Sequence, residues 1–231
     1  MFFVHKFSVL LGVSSPVESC HSFCSIDSLF TSSKCIRKLG VDLSLFMIGT
    51  ICLSQVLEVD LLEAIKGRRS IRSFKSDEVA QRDVDLLIEA ATHAPSAGNI
   101  QPWEFTIIRT PEMKKKLVEA AYGQSFIEEA SIVIVVCANE DRSSQRYGDR
   151  GKTLYCLQDS AAAIQNILLT AYSLDLGSCW IGAFKEDEVR AVLNVPIGVK
   201  PVAIIPIGHP ARIASSRQKR TMEQIVHYEK Y

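Results

Sequence analysis

The sequence predicts an α+β fold in which a sheet lies between helices, and three observations lead to this prediction. The β-branched run SIVIVVCA at 131–138 has the length and composition of a buried strand. The segment 154–174 is almost entirely apolar over the length of a long helix, so this helix must be buried. Helical and strand-like patterns alternate throughout residues 58–231, which is typical of a domain that packs helices against a sheet.

The first half of the patterned region is predicted to hold three helices and one strand ahead of the buried strand. Asp60 is a suitable N-cap for a short helix that runs through Lys66. Apolar residues recur with helical spacing in 77–91. The run WEFTIIR at 103–109 is strand-like, and a helix follows at 111–121, where a proline occupies the first position.

The second half is predicted to begin with a polar loop at 139–152. The long apolar helix then ends near Gly177, which is a good left-handed cap. A basic tail starts at Arg212. Between these two points the pattern predicts three elements: a strand at 178–184, a charged helix at 185–194 and a strand at 201–208.

The chain divides into a poorly patterned N-terminal extension, residues 1–57, and a patterned domain, residues 58–231. The extension holds eleven serines and only seven charged residues, with no sustained period. Met47 lies just ahead of the boundary, so we interpret the preceding stretch as one that is not part of the native domain. A signal peptide after Lys6 is disfavoured because the apolar run is short, and a membrane span at 39–57 because it carries several polar residues.

Composition excludes several classes of function. Twenty-six basic residues balance twenty-six acidic ones, so there is no net positive charge to hold nucleic acid. The seven cysteines are odd in number and fit no zinc spacing, and the last three lie in apolar runs, which indicates a reducing, cytoplasmic compartment. Glycine-rich phosphate loops and the nucleophile elbow of hydrolases are both absent from the sequence. We expect no metal site and no membrane partner.

The densest polar cluster consists of Arg68, Arg69, Ser70 and Arg72, directly after the first predicted helix. Guanidinium groups and a hydroxyl in this arrangement can donate charge-assisted hydrogen bonds to a phosphate ester. A solvated helix end is the alternative interpretation. A second cationic group, RQKR at 217–220, could return to the same phosphate or form a solvated tail.

Two further segments have features that suit a ligand: one carries polar side chains, and the other carries a glycine within a strand pattern. In PSAGNIQPW, residues 95–103, the Pro, Gly and Asn residues force a turn between apolar elements. The amides of Asn99 and Gln101 could pair with the edge of a heterocycle. In CWIGA, residues 179–183, Gly182 interrupts a strand pattern, which indicates either a bulge or a close approach of another group to the backbone.

Together these four clusters resemble the nitroreductase family, and the resemblance covers about residues 59–228. RRSIRSF looks like the family's opening phosphate motif, APSAGNIQPWEF like its Pro-Ser-x-x-Asn-x-Gln-Pro-Trp signature, and WIGAF like its flavin-edge strand. The order GHP, RQKR and then a short apolar helix at 222–226 resembles the family's C-terminal end.

The resemblance implies a central mixed sheet flanked by helices, and an intertwined homodimer that holds two FMN molecules between its protomers. The cluster at 68–72 would face the phosphate, the ribityl chain and the pyrimidine, and the 95–99 turn would approach the flavin from the partner subunit. The 181–182 segment would lie near N5, and the 217–219 segment would close on the phosphate. The residues expected to bind the cofactor are Arg68, Arg69, Ser70, Arg72, Pro95, Ser96, Asn99, Gln124, Ile181, Gly182, Arg217 and Lys219.

The activity that the resemblance implies is transfer of hydride from NADH or NADPH, through flavin N5, to a small acceptor of the nitroaromatic, quinone or flavin type. The mechanism would be ping-pong, because both substrates need the same face of the flavin. The flavin carries the chemistry, so no side chain is expected as a catalytic acid or base. The rival interpretations are a flavin-binding protein without turnover and a specialised dehalogenase or dehydrogenase, in which the 139–152 segment would contact the substrate.

Overall fold

The computed structural model describes residues 59–231. The predicted extension, residues 1–57, and its boundary lie outside the described residues. Within the described part, no helix has the length and apolar character needed to cross a membrane.

Four strands form one sheet in the order β1-β2-β4-β3, with antiparallel pairing between neighbours. Outside the named strands, an isolated parallel bridge joins Ser70 to Ser178. A central sheet between helices is thus present, as the resemblance implied, and its named strands pair antiparallel. The strands are β1 Trp103–Ile108, β2 Ile132–Asn139, β3 Gly177–Ser178 and β4 Val199–Gly208.

Helices flank this sheet and alternate with its strands along the chain. The α-helices are α1 Leu61–Gly67, α2 Gln81–Thr92, α3 Pro111–Ala120, α4 Phe126–Glu129, α5 Glu140–Arg150, α6 Cys156–Ser173 and α7 Glu186–Leu193. Short 3-10 helices lie at Ala97–Asn99 and Met222–Gln224, and a π-helical turn at Gly151–Tyr155 joins α5 to α6.

The buried strand β2 separates two apolar cores. Successive side chains of a strand point to opposite faces, so Ile132, Ile134 and Val136 pack with α2 and α6. The alternate residues Val133 and Val135 pack on the other face with α3 and α7. This arrangement confirms the α+β prediction and the prediction of a buried strand at 131–138.

The prediction of a polar loop at 139–152 is wrong, because most of this segment is helix α5. The Asn139 side chain accepts a hydrogen bond from the Arg142 N–H at 2.9 Å, and Glu140 and Asp141 lie in the first turn. An N-cap and acidic residues stabilise a helix start. The helix is almost wholly polar, so it lacks the apolar period by which a helix is recognised.

The predicted strand at 178–184 is much shorter than expected. Ladder pairing with β4 is confined to Gly177–Ser178, and Ile181 adds one isolated bridge to Ile204. The chain leaves the ladder after this bridge, so Gly182 and Ala183 are exposed. Two smaller differences are that α2 begins at Gln81 rather than 77, and that the expected C-terminal helix at 222–226 is a single 3-10 turn.

Candidate functional site

The segment 70–75 runs beside the ends of β3 and β4 and brings the C-terminal segment next to α1. The Ile71 N–H donates to the Ser178 carbonyl at 2.9 Å, and the Lys75 N–H donates to the His209 carbonyl at 2.8 Å. Ala211 returns a bond by donating to the Ser73 carbonyl at 3.0 Å. These backbone bonds direct the chain after residue 211 towards the arginine cluster.

A cavity of about 590 Å³ lies where these segments meet. This volume falls within the range of about 300–1,000 Å³ that is usual for small-molecule sites. The structure thereby brings together six residues that the sequence analysis assigned to the cofactor. The lining residues are Ile65, Lys66, Arg68, Arg69, Ser70, Arg72, Ala214, Ser215, Ser216, Arg217 and Lys219.

Most of the positive charge around this cavity is unpaired within residues 59–231. In this part of the chain, Arg68, Arg72, Arg217 and Lys219 form neither a side-chain hydrogen bond nor a salt bridge, although the Arg72 guanidinium lies 5.9 Å above the Phe126 ring. Crowded like charges repel one another, so the cluster favours an anion in the cavity.

Arg69 differs from the other cations of the cavity. Its Nη1 donates to the carbonyls of Lys66, Gly67 and Arg68 at 2.6, 3.0 and 2.9 Å. These carbonyls belong to the C-terminal turn of α1, where a cation also meets the negative end of the helix dipole. Arg69 therefore caps the helix, as the alternative interpretation of this cluster expected.

Cys179 is buried close to the cationic groups of the cavity. Burial raises the pKa of its thiol above the usual value, and the opposing influences are the charge of Arg72, a hydrogen bond with Ser70 and the charge of Arg68. The thiol is therefore neutral at neutral pH and contributes no negative charge to the cavity.

In the segment 181–183, the Ile181 N–H is hydrogen-bonded within the sheet, whereas Gly182 is exposed to solvent. The Ile181 N–H donates to the Ile204 carbonyl at 2.9 Å, so it is not available to a ligand. Gly182 is exposed, and a Cβ added there would meet no atom within 4 Å. Gln124 lies beside this segment, because its Nε2 donates to the Ala183 carbonyl at 3.0 Å.

A second cavity, of about 350 Å³, is lined in part by Gly182. Trp180 and Phe184 supply aromatic rings, and the Lys200 Nζ lies 3.3 Å from the Glu186 carboxylate at its edge. The cavity is thus mainly apolar, with a charged pair at the rim.

The 95–101 turn has three left-handed backbone positions, of which only Gln101 is unfavourable for its residue type. Gly98, Asn99 and Gln101 have φ values of 55°, 57° and 53°, in the left-handed region. Glycine and asparagine tolerate this region, whereas for glutamine it costs on the order of 1–2 kcal/mol. The Ser96 Oγ accepts from the Gln101 N–H at 3.0 Å, and the Gln101 Nε2 donates to the Asn99 Oδ1 at 3.1 Å.

Comparison with known proteins identifies the family of this chain. The family model described as the nitroreductase family matches residues 65–131 and 120–209. The chain belongs to the nitroreductase family. The resemblance on which the sequence analysis relied is therefore confirmed.

The names of similar proteins state NADH dehydrogenase, nitroreductase and FMN reductase activities. A Methanothermobacter thermautotrophicus protein is 36% identical over 181 residues, which cover 77% of this chain and 91% of that protein; its name proposes NADH dehydrogenase or NAD(P)H nitroreductase activity. An FMN reductase (NADPH) of Bacillus subtilis is 30% identical over 73% of this chain and 72% of that protein. The solved NADPH:FMN oxidoreductase of Vibrio harveyi, in complex with NAD+, has a TM-score of 0.69 at 25% identity and covers 74% of this chain and 77% of that one.

The residues that the sequence analysis expected to bind the cofactor fall into three groups in the described part of the chain. The six cationic and hydroxyl residues from 68–72 and 217–219 line the larger cavity. Gln124, Ile181 and Gly182 lie at the end of β3, beside the second cavity. Pro95, Ser96 and Asn99 lie on the 95–101 turn and line neither cavity.

Sequence reasoning missed several lining residues of the larger cavity. Lys66 belongs to the same cationic run as Arg68, and its position two residues earlier was a usable signal. Ser215 and Ser216 directly precede the RQKR run. Their hydroxyls carry no motif of their own, and only the path of the chain after β4 shows that they reach the cavity.

Proposed function

We propose that this nitroreductase is an FMN-dependent oxidoreductase that transfers hydride from NADH or NADPH to a small organic acceptor. The observation that carries the proposal is a cavity at which four cations have no side-chain partner among residues 59–231, namely Arg68, Arg72, Arg217 and Lys219. A phosphate monoester is the ligand that such a cluster suits, because guanidinium groups bind its oxygens in pairs. The relatives named FMN reductase and NADPH:FMN oxidoreductase support the choice of flavin and of nicotinamide.

The residues present fit FMN. Arg68, Arg72 and Lys219 would hold the phosphate, and the exposed Gly182 leaves room for the edge of a flat ring, with Gln124 beside it. The Gly182 N–H, rather than that of Ile181, is the backbone donor free to face the ring. When bound, FMN supplies hydride transfer at N5 between the nicotinamide and the acceptor.

We further propose that the protein is an intertwined homodimer and that each flavin site uses both chains. Pro95, Ser96 and Asn99 line neither cavity of one chain, so a second copy is needed if they contact the flavin. Exposed apolar side chains on α1 and on the C-terminal segment support such an interface. They are Leu61, Leu62, Ile65, Ile213, Met222 and Ile225.

We also propose that the N-terminal extension is dispensable, since every residue assigned to the flavin lies after it. Deletion of residues 1–46, with Met47 as the first residue, should leave flavin content and turnover nearly unchanged. A cytoplasmic location is supported by Cys137, Cys156 and Cys179, which are buried free thiols. Burial raises the pKa of the Cys137 thiol to about 11, which suits a structural rather than a reactive cysteine.

An absorption spectrum followed by anaerobic titration tests the proposed activity. We expect the purified protein to carry a flavin that is released as FMN on denaturation, and to lose its visible absorbance when NADH or NADPH is added. Reoxidation by a quinone or a nitroaromatic should give parallel double-reciprocal lines, as a ping-pong mechanism requires. Binding of FMN without bleaching by either nicotinamide would show a flavin-binding protein without turnover, and no FMN binding would contradict the proposal.

Mixed dimers test whether each site uses both chains. Co-expressed Arg68→Ala and Asn99→Ala protomers should form heterodimers with one doubly damaged site and one intact site. Tight FMN at half occupancy is the expected result, measured after separation of the heterodimer by two affinity tags. Two equally weakened sites would show that each flavin belongs to a single chain.

A further inference from the structure

Asp159 is a buried carboxylate that the proposed function does not use. It lies in the first turn of α6 and is only 7% exposed. Charged residues are rarely buried to this extent without a partner. Within the described residues, Asp159 forms no salt bridge.

The partner of Asp159 is the backbone of the 95–101 turn. Both oxygens of the carboxylate accept from the Ala97 N–H, at 3.1 Å for Oδ1 and 3.2 Å for Oδ2. Sixty-two residues separate the two groups in the sequence, so the bond fixes the turn to the long helix of the core. Ala97 directly precedes the left-handed positions Gly98 and Asn99.

Helix α5 holds the other side of the same turn. The Arg142 Nη1 donates to the Gln101 carbonyl at 2.8 Å, and the Arg146 Nη1 donates to the Gly98 carbonyl at 3.2 Å. A Cβ added at Gly98 would meet the Tyr147 hydroxyl at 2.6 Å. A strained backbone persists only where its surroundings fix it, and in this turn α5 fixes the carbonyls while Asp159 fixes the N–H.

We propose that Asp159 is a positioning residue that holds the 95–101 turn in the conformation in which Ser96 and Asn99 contact the flavin. This inference rests on the proposed function. Asp159 does not touch the flavin itself. It acts through the Ala97 N–H, and without it the turn samples other conformations, so flavin binding must select the competent fraction.

A purely structural role would leave a different signature. Burial raises the pKa of the Asp159 carboxyl, so its charged form is disfavoured by the fold and lowers stability near neutral pH. Removal of the charge alone, in Asp159→Asn, should therefore not lower the melting temperature of the flavin-free protein. A positioning role predicts that Asp159→Asn loses FMN affinity without a loss of stability.

The test compares Asp159→Ala, Asp159→Asn and the exposed control Asp149→Asn. For Asp159→Ala we expect the FMN dissociation constant to rise about tenfold, for Asp159→Asn, which keeps an acceptor oxygen, about threefold, and for Asp149→Asn no change. The melting temperature of flavin-free Asp159→Asn should equal or exceed that of the wild type, whereas Asp159→Ala should melt lower because the Ala97 N–H loses its acceptor. In Asp159→Ala, amide hydrogen exchange in residues 97–101 should accelerate.

An FMN affinity within about twofold of wild type in Asp159→Ala would overturn the inference, as would a lower melting temperature in Asp159→Asn. If Asp159→Ala does not fold, Asp159→Asn decides the matter by the same two measurements. Failure of the proposed function is distinguishable, because the wild type would then bind no FMN. In that case the exchange rates of residues 97–101 still show whether Asp159 holds the turn, and unchanged rates would overturn its role.

Discussion

Two groups of cations in this molecule differ in how their charge is used. Arg142, Arg146 and Arg190 each donate to carbonyl oxygens of their own chain, and two of the three also pair with a glutamate. Arg68 and Lys219 line one cavity and have no partner among the residues that the structure describes. A protein satisfies its buried and structural charges internally. Exposed cations are often unpaired, but the convergence of Arg68 and Lys219 on one cavity supports the proposed ligand that brings negative charge.

Lys114, which is buried, belongs with the cations whose charge is satisfied within the chain. Lys114 is 8% exposed, and its Nζ donates to the Glu128 and Ala130 carbonyls at 3.1 and 2.8 Å. Burial lowers its pKa. Lys114 contributes to the structure at the end of α4, and its charge is unavailable to a ligand.

The largest effect is expected when two unpaired cations are removed together. In Arg68→Ala with Lys219→Ala, the FMN dissociation constant should rise about 100-fold, because each lost cation weakens phosphate binding about tenfold. The stability of the flavin-free protein should not fall, since the change relieves repulsion between like charges. Isothermal titration and thermal melting of the flavin-free protein measure the two quantities. Normal FMN affinity in this variant would show that the unpaired cations do not hold the phosphate.

Removal of a paired cation should have the opposite pattern. The Arg190 Nη1 donates to the Pro196 and Val199 carbonyls, both at 2.8 Å. In Arg190→Ala these acceptors lose their donor, so the free energy of unfolding should fall by about 1–3 kcal/mol, while FMN affinity stays unchanged. Denaturant unfolding of the flavin-free protein measures the loss. A weaker FMN affinity at full stability would show that internal pairing does not separate the two groups.

Adjacent residues of the C-terminal segment sharpen the comparison further. Lys219 lines the cavity and Arg220 does not. Lys219→Ala should weaken FMN about tenfold, and Arg220→Ala, the matched control, should change the affinity by less than about twofold. Equal losses in both variants would show that the segment acts only through its net charge.

Arg69 combines features of both groups, and its removal should have the smallest effect. It lines the cavity, but its guanidinium caps α1. Arg69→Ala should cost less than about 1 kcal/mol of stability, and FMN affinity should change by less than about threefold. Melting and titration of this variant decide between the two roles, because a loss as large as that of Arg68→Ala would place Arg69 on the phosphate.

The main elements of the fold could be predicted from the sequence, because their burial produces a pattern. Strand β2 packs apolar side chains into both cores, and helix α6 packs apolar side chains into the core that also contains α2. Helix α5 could not be recognised, since its stability depends on the Asn139 cap and on bonds from its arginines to the 95–101 turn. The strand after Gly177 was overestimated because an apolar run does not reveal where ladder pairing stops.

The candidate site was only partly accessible to sequence reasoning. The cluster at 68–72 was visible as a run of cations, but its meeting with Lys219 depends on backbone bonds between 71–75 and the ends of β3 and β4. The charge pattern allowed that meeting but left a solvated tail as the alternative, and the family resemblance favoured the meeting. The bond from Ala97 to Asp159 joins positions with no shared motif, so it could not be read from spacing.

The comparison of FMN with riboflavin tests the central claim most directly, because the two ligands differ only in the phosphate that the unpaired cations are proposed to hold. The wild type should bind FMN at least about 100-fold more tightly than riboflavin. In Arg68→Ala with Lys219→Ala this ratio should fall to within about threefold, with riboflavin affinity nearly unchanged. Equal binding of the two flavins by the wild type, or an unchanged ratio in the variant, would contradict the account.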